Sequence, residues 1–325
     1  MRRPATWLVV GGLLLLAGVA VFETLLGDDE DAARPRGDGD TAPSQPGLPD
    51  RLKAAGASGL LYLSVRRDAA CRIQLVRLPA VDVETDVPAP DCRFAVAPSG
   101  LVATGFDCDE PGALIRSDGA VVDRFDGCSP AWKPSGELTF LRESSVMVVP
   151  RACTGTVDEC ARAILTRKQI EDPLAPLLEP RPWTVREIAW LDETTVAAIV
   201  RGTVRAGSVR TTPDFIAVFE GRRLTELPSF GRTRLEGLTV DRAARRIFVS
   251  GDEVQGIFEL DESGAFRNTL TVPGIPEVAS VAVSPDGRWA AAAGRGSILV
   301  FEPGEPPGRS FQLPFEAQAV VWGEP

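Results

Sequence analysis

Through most of the chain, short runs of apolar and small residues alternate and are separated by turns rich in Gly, Pro, Ser and Asp. A period of two with this punctuation predicts β-strands, and windows of helical period are rare. One unit recurs: an apolar–small–apolar strand, a tight turn, then a second apolar strand. It begins at Phe94, Pro130, Ile188, Leu238, Val281 and Val320. Aligned on Val96, Trp132, Trp190, Val240, Val283 and Trp322, the copies are spaced by 36, 58, 50, 43 and 39 residues, a mean near 45. That is the period of a four-stranded propeller blade, roughly 40–45 residues. Pro98-Ser99-Gly100, Pro134-Ser135-Gly136 and Pro285-Asp286-Gly287 supply the positive φ that a tight turn between strands needs.

The last copy ends the chain with a single strand, whereas the first body segment has strands at 60–65 and 73–78 but no repeat strand before them. Ala319–Trp322 is therefore expected to join residues 60–88 in one sheet. Closure of this kind removes the exposed edges of a linear array. The count predicts an all-β, six-bladed β-propeller over 51–325.

The N-terminus reads differently. Residues 1–6 carry Arg2 and Arg3, 7–26 form an almost uncharged apolar segment, and Asp28, Asp29, Glu30 and Asp31 follow. As a helix, 20 residues rise roughly 30 Å, the thickness of the hydrocarbon core. The positive charges before it predict a single-pass anchor in the cytoplasmic membrane, with residues 1–6 inside and the body outside. A cleaved signal peptide ending near Ala20 is the alternative, giving a secreted chain; the length of the segment favours the anchor. Residues 27–50 are acidic and Pro/Gly-rich with almost no large apolar side chain, and are expected to form a disordered linker.

Ser284-Pro285-Asp286-Gly287-Arg288-Trp289-Ala290 and Trp132-Lys133-Pro134-Ser135-Gly136-Glu137-Leu138-Thr139-Phe140 resemble the repeats of TolB-type (WD-like) β-propellers. The resemblance spans roughly residues 92–302, is strong in two copies and degenerate elsewhere. It implies a six-bladed propeller with a binding role, often in the bacterial envelope. It does not extend to TolB itself, whose α/β domain before the propeller has no room here. The Ser-Pro-Asp-Gly motif is a turn motif rather than a site. The adjacency of Asp286 and Gly287 separates it from the sialidase Asp-box.

The six cysteines, Cys71, Cys92, Cys108, Cys128, Cys153 and Cys160, all follow the apolar segment. Their spacing lacks the tight pairs of a zinc site, and the chain has no His to activate a thiol. Disulfides fit an exported domain, with 15 connectivities open from spacing alone. Propeller topology narrows them. Cys92 and Cys128 precede inner strands, and Cys71, Cys108 and the pair Cys153/Cys160 are read as lying between second and third strands. All six then share one face; the equivalence of blades one and two favours Cys71–Cys92 and Cys108–Cys128, with Cys153–Cys160 pinning a local excursion.

A net charge of -10 opposes nucleic-acid binding, and the absence of His excludes His-based triads and His-ligated metals. No catalytic residue, cofactor or metal site is assigned. Arg201, Arg205 and Arg210 lie in a loop between the second and third strands of blade four, and three arginines in an acidic chain fit recognition of a carboxylate, phosphate or acidic partner. Arg93, Arg186, Glu187 and Glu236, with Glu277 and Gln318, precede inner strands and are expected around a channel mouth. The favoured function is a membrane-tethered, non-enzymatic binding or scaffold module whose partner is an unknown envelope protein or glycan. The alternative is a propeller hydrolase, lyase or lactonase acting on an envelope carbohydrate or small ester through carboxylates and a divalent cation such as Ca²⁺.

Overall fold

The computed structural model describes residues 47–176, 178, 183–206, 209–225, 234–251, 256–272, 274–275, 277–294, 296–304 and 308–323. The expected transmembrane helix 7–26, the residues before it and linker residues 27–46 lie outside the described residues. Among the described residues, no helix is long and apolar enough to cross a membrane.

The described strands form six four-stranded antiparallel sheets, each one blade, and one two-stranded hairpin. From inner to outer strand, blade one is Ala319–Gly323, Gly59–Arg67, Ala70–Leu78 and Asp82–Ala89; blade two is Phe94–Val96, Val102–Thr104, Gly112–Ile115 and Val121–Phe125. Blade three is Cys128–Trp132, Leu138–Arg142, Ser145–Val149 and Arg162–Leu165; blade four is Trp183–Trp190, Thr195–Gly202, Asp214–Glu220 and Arg223–Leu224. Blade five is Leu235–Asp241, Arg246–Gly251, Ile257–Leu260 and Phe266–Leu270; blade six is Ser280–Val283, Ala290–Gly294, Ser297–Phe301 and Ser310–Leu313. The six repeat strands are the six inner strands.

Each blade buries both faces, so its middle strands are apolar at nearly every position while alternate residues serve different neighbours. In blade six, Ala291 and Ala293 pack with Leu61 and Leu63 of blade one, whereas Ala290 and Ala292 pack with Ile257 and Leu270 of blade five. Blade four divides similarly: Ile199, Ile216 and Val218 face blade five, and Val196, Ala198 and Val200 face blade three. Each of the six seams has its own buried cluster. A large side chain buried there contributes roughly 1.5–3 kcal/mol. The core is therefore a ring around the channel.

The ring closes as expected. Ala319–Gly323 pairs antiparallel with Gly59–Arg67, setting Trp322 opposite Leu61 and Val320 opposite Leu63. Ser280 Oγ ties the closing strand to blade six, receiving Val320 N–H at 3.2 Å.

The linker boundary is corrected. Leu48–Ala55 is an α-helix, so Leu48, Pro49 and Asp50, expected in the linker, belong to it instead. Pro49 suits the first turn, Gly56 caps the end at φ 77°, and Ala57 N–H returns to Leu52 O at 3.0 Å. Leu52 and Ala55, with Ala57 just beyond, enter the cluster between blades six and one beside Trp289 and Leu313. The apolar positions Leu48, Leu52 and Ala55 are spaced for one helix face, a signal diluted by the flanking Pro and Gly.

The repeat turns are structural, as their composition indicates. Ser284 Oγ donates to Asp286 at 2.6 Å and receives Trp289 N–H at 2.9 Å. Gly287 sits at φ 69°, where a Cβ would meet Asp241 Oδ2 at 2.7 Å.

Candidate functional site

Every inner strand runs in the same direction through the ring, so the loops leading into these strands share one end of the channel with the turns joining second to third strands. At this end, the mouth, two disulfides couple neighbouring loops. Cys71–Cys92 joins the second-to-third turn of blade one to the segment leading into blade two, with Cα atoms 5.1 Å apart. Cys108–Cys128 repeats the arrangement one blade further, at 4.8 Å. Asp91 reinforces the first junction, accepting Arg93 N–H at 3.0 Å and Phe106 N–H at 2.8 Å.

Cys153–Cys160 forms as predicted but not on that face. Both cysteines lie between the third and fourth strands of blade three, whose connection leaves the opposite end of the sheet. The second and third strands are joined by Glu143 and Ser144 alone, at φ 50° and 62°, a two-residue hairpin turn with no room for an insertion. The excursion folds back along blades two and three: Val157 N–H donates to Asp123 Oδ2 at 2.7 Å, and Asp158 pairs with Arg142. Four cysteines, not six, gather at the mouth.

The inner strands of blades three, four and five each carry a bulge near the mouth, leaving Ser129 and Pro130, Arg186 and Glu236 without ladder partners. A bulge re-aims side chains without ending the strand. Ser129, at φ 48°, donates through Oγ to Arg186 O and so links two of these bulges.

Arg93, from blade two, reaches over blade three to pair with Glu187 of blade four, and its guanidinium lies over the Phe106 ring, 4.5 Å from the centroid. Glu187 is buried and also accepts Leu238 N–H from blade five at 3.2 Å. Burial pushes its pKa above the usual carboxylate value, against the opposing effect of Arg93, the Leu238 amide and Arg186.

Asp214 is the second hub and is fully buried. It accepts Arg201 Nε at 2.9 Å, Arg186 Nη1 at 3.1 Å and Leu235 N–H at 2.8 Å. Burial lowers the pKa of Arg186; Arg201, Arg234 and Arg93 push in the same direction and Asp214 opposes them. Three further guanidiniums thus lie within electrostatic range of Arg186.

The expected arginine loop of blade four is a hairpin, Val204–Ala206 paired with Val209–Thr211. Its three arginines separate in role. Arg201 sits at the base, engaged by its cross-strand neighbour Asp214. Arg205 and Arg210 are paired in register further along the hairpin, and the side chain of Arg210 is exposed and engaged. The mouth residues converge: Arg93, Arg186, Glu187, Glu236 and Gln318 all line the channel. Sequence reasoning missed Asp214, Arg234 and Phe106. Asp214 becomes visible only once Arg201 is known to face it across a strand pair.

The channel has a volume of about 910 Å³. Below the rim its wall includes Ala95, Ala189, Val240, Val283 and Val321, and Arg242 crosses the far end, donating to Trp190 O at 3.2 Å and Trp132 O at 2.9 Å. A charged rim over an apolar shaft is the form of a small-molecule site.

No family model and no curated protein matches the chain. Among solved structures, the chain is similar to the β-propeller domain of Cps50 (Swd1) from Myceliophteria thermophila, at 14% identity and a TM-score of 0.50, covering 82% of this chain and 90% of that one. A second similarity is to the propeller of Dos1, at 9% identity and a TM-score of 0.42, covering 78% and 68%. The first likeness is one of fold: both are β-propellers.

Proposed function

We propose that this chain is an extracytoplasmic propeller of the TolB type, tethered to a bacterial cytoplasmic membrane through residues 7–26, that binds its partner at the mouth and performs no catalysis. The observation that carries the reading is the pair of disulfides at the mouth. Cys71–Cys92 and Cys108–Cys128 each hold two loops of adjacent blades beside the charged rim. Disulfides of this kind persist in oxidising compartments, and loops fixed in advance lose less entropy on association. The rim carboxylates also support binding over hydrolysis. Asp214 is held by two arginines and Leu235 N–H, and Glu187 by Arg93 and Leu238 N–H, so the acceptor oxygens of both are already engaged. A tether arriving at Gly47 meets the helix Leu48–Ala55, which leads into blade one at the end opposite the mouth.

Photocrosslinking in intact membranes tests the face. A photoreactive side chain at Asp109, in the second-to-third loop of blade two, should capture the partner; one at Asp118, in the third-to-fourth turn, should not. Capture only at Asp118 would overturn the assignment. Mass spectrometry of the membrane-extracted protein should find an intact N-terminus, and a mature form starting near Val21 would refute the tether.

A further inference from the structure

Three mouth arginines hold hydrogen-bond donors in reserve. Arg93 gives Nη2 to Glu187 and lays its guanidinium over the Phe106 ring; its Nε and Nη1 bond to none of the described residues, and the side chain is 38% exposed. Arg186 uses Nη1 for Asp214 and Leu235 O, leaving Nε and Nη2 without a partner among the described residues. Arg234 is exposed, lines the same channel and makes no hydrogen bond or ion pair with the described residues, yet its charge reaches Arg186. Glu236, which lines the same channel, already has a partner, and Asp91 beside Arg93 is occupied by the Arg93 and Phe106 amides. In a chain of net charge -10, these arginines form a cationic, incompletely hydrogen-bonded rim in which Arg93 and Arg186 are held in place.

The wall beneath differs in kind. Ala95, Ala189, Val240, Val283 and Val321 give small apolar surfaces from five different blades. A ligand matched to both parts has an oxyanion at one end and hydrocarbon along its length. We infer that the channel binds an amphipathic organic anion, its carboxylate or phosphate head on Arg93, Arg186 and Arg234 and its apolar body in the shaft. The open Nε and Nη2 of Arg186 form a side-on fork that receives either head group bidentately, and the Phe106 stack and Glu187 bond hold Arg93 in place to add a charged donor before a ligand arrives. This inference rests on the reading of the mouth as the binding face and adds the ligand chemistry.

Titration calorimetry of the full chain in lipid nanodiscs, with empty nanodiscs as the blank, tests it. Octanoate or octyl phosphate should bind saturably, and the tighter of the two identifies the head group. Octanol, acetate and inorganic phosphate, each lacking one half of the ligand, should bind at least about tenfold more weakly. From butyrate to octanoate, each methylene should tighten binding by up to about fourfold. Arg234→Gln and Arg93→Gln should each weaken octanoate at least about fivefold, and exposed Arg234→Gln should leave the melting midpoint unchanged. Equal binding of octanol, indifference to both substitutions, or no saturable binding of either amphiphile would overturn the inference. If neither amphiphile binds while Asp109 still captures a partner, the ligand class fails and the binding face stands. If octanoate binds at the arginines while capture occurs only at Asp118, the ligand chemistry stands and the partner-binding face fails.

Discussion

Asp214→Asn tests the rim at its most concentrated point. The wild-type carboxylate is fully buried and accepts four hydrogen bonds of 2.8 to 3.3 Å, from Arg186, Arg201 (two) and Leu235 N–H. Asparagine fills the same space but retains one acceptor oxygen and turns an amide N–H₂ toward donors. A hydrogen bond to a charged group contributes about 1.5–3 kcal/mol, and breaking a buried ion pair costs about 3–5 kcal/mol. The arginine side chains are 24% and 35% exposed, so they regain water when released and part of that cost is screened. The expected loss is about 2–4 kcal/mol. Glu302→Gln provides the comparison. Glu302 pairs with an Arg309 side chain that is about half exposed, and its loss should cost under about 1 kcal/mol. Urea unfolding followed by tryptophan fluorescence should show a clear fall in midpoint for Asp214→Asn, a small one for Glu302→Gln, and an unchanged slope in both. If Asp214→Asn costs no more than Glu302→Gln, then the carboxylate is not a buried hub and the account of the rim is wrong.

Three further outcomes follow from the geometry. Truncation after Pro314 removes the strand that seats Val320 and Trp322 against blade one, so cooperative unfolding should be lost; a truncated chain melting as sharply as the whole would refute closure. Cys153→Ser with Cys160→Ser should lower the melting midpoint and leave capture at Asp109 intact, whereas Cys71→Ser with Cys92→Ser should impair both; the longer loop is worth roughly 3 kcal/mol by the chain-entropy argument. Because the pKa of Glu187 is raised by burial, its stabilising contribution is fully present below the unfolded value and is lost as pH rises through the folded one. The stability of the wild type relative to Glu187→Gln should therefore improve as pH falls from 7 toward 4, as read by thermal melts; a relative stability that falls on acidification would show that Arg93 outweighs the burial.

What could be read without coordinates was whatever depends on local period and covalent order. The six inner strands carry an apolar–small–apolar signature because each lies between two blades, and the orphan strand at Ala319 implied closure by simple strand count. The cysteine pairs followed from the equivalence of blades one and two. The placement of Cys153–Cys160 did not, because it turns on whether two residues suffice to join Arg142 to Ser145, which the backbone at Glu143 and Ser144 decides. The helix Leu48–Ala55 was hidden in a linker-like composition, since its few apolar residues gain stability only from the seam they fill. At the rim, position before an inner strand was enough to bring Arg93, Arg186, Glu187 and Glu236 to the mouth. It took the folded ring to show that Arg201 is engaged by Asp214, that Arg93 crosses a whole blade to Glu187, and that donors on Arg93, Arg186 and Arg234 are left open among the described residues. Partners 94 residues apart leave no trace in local period, and their contact exists only because closing the ring sets the ends of the inner strands around one channel.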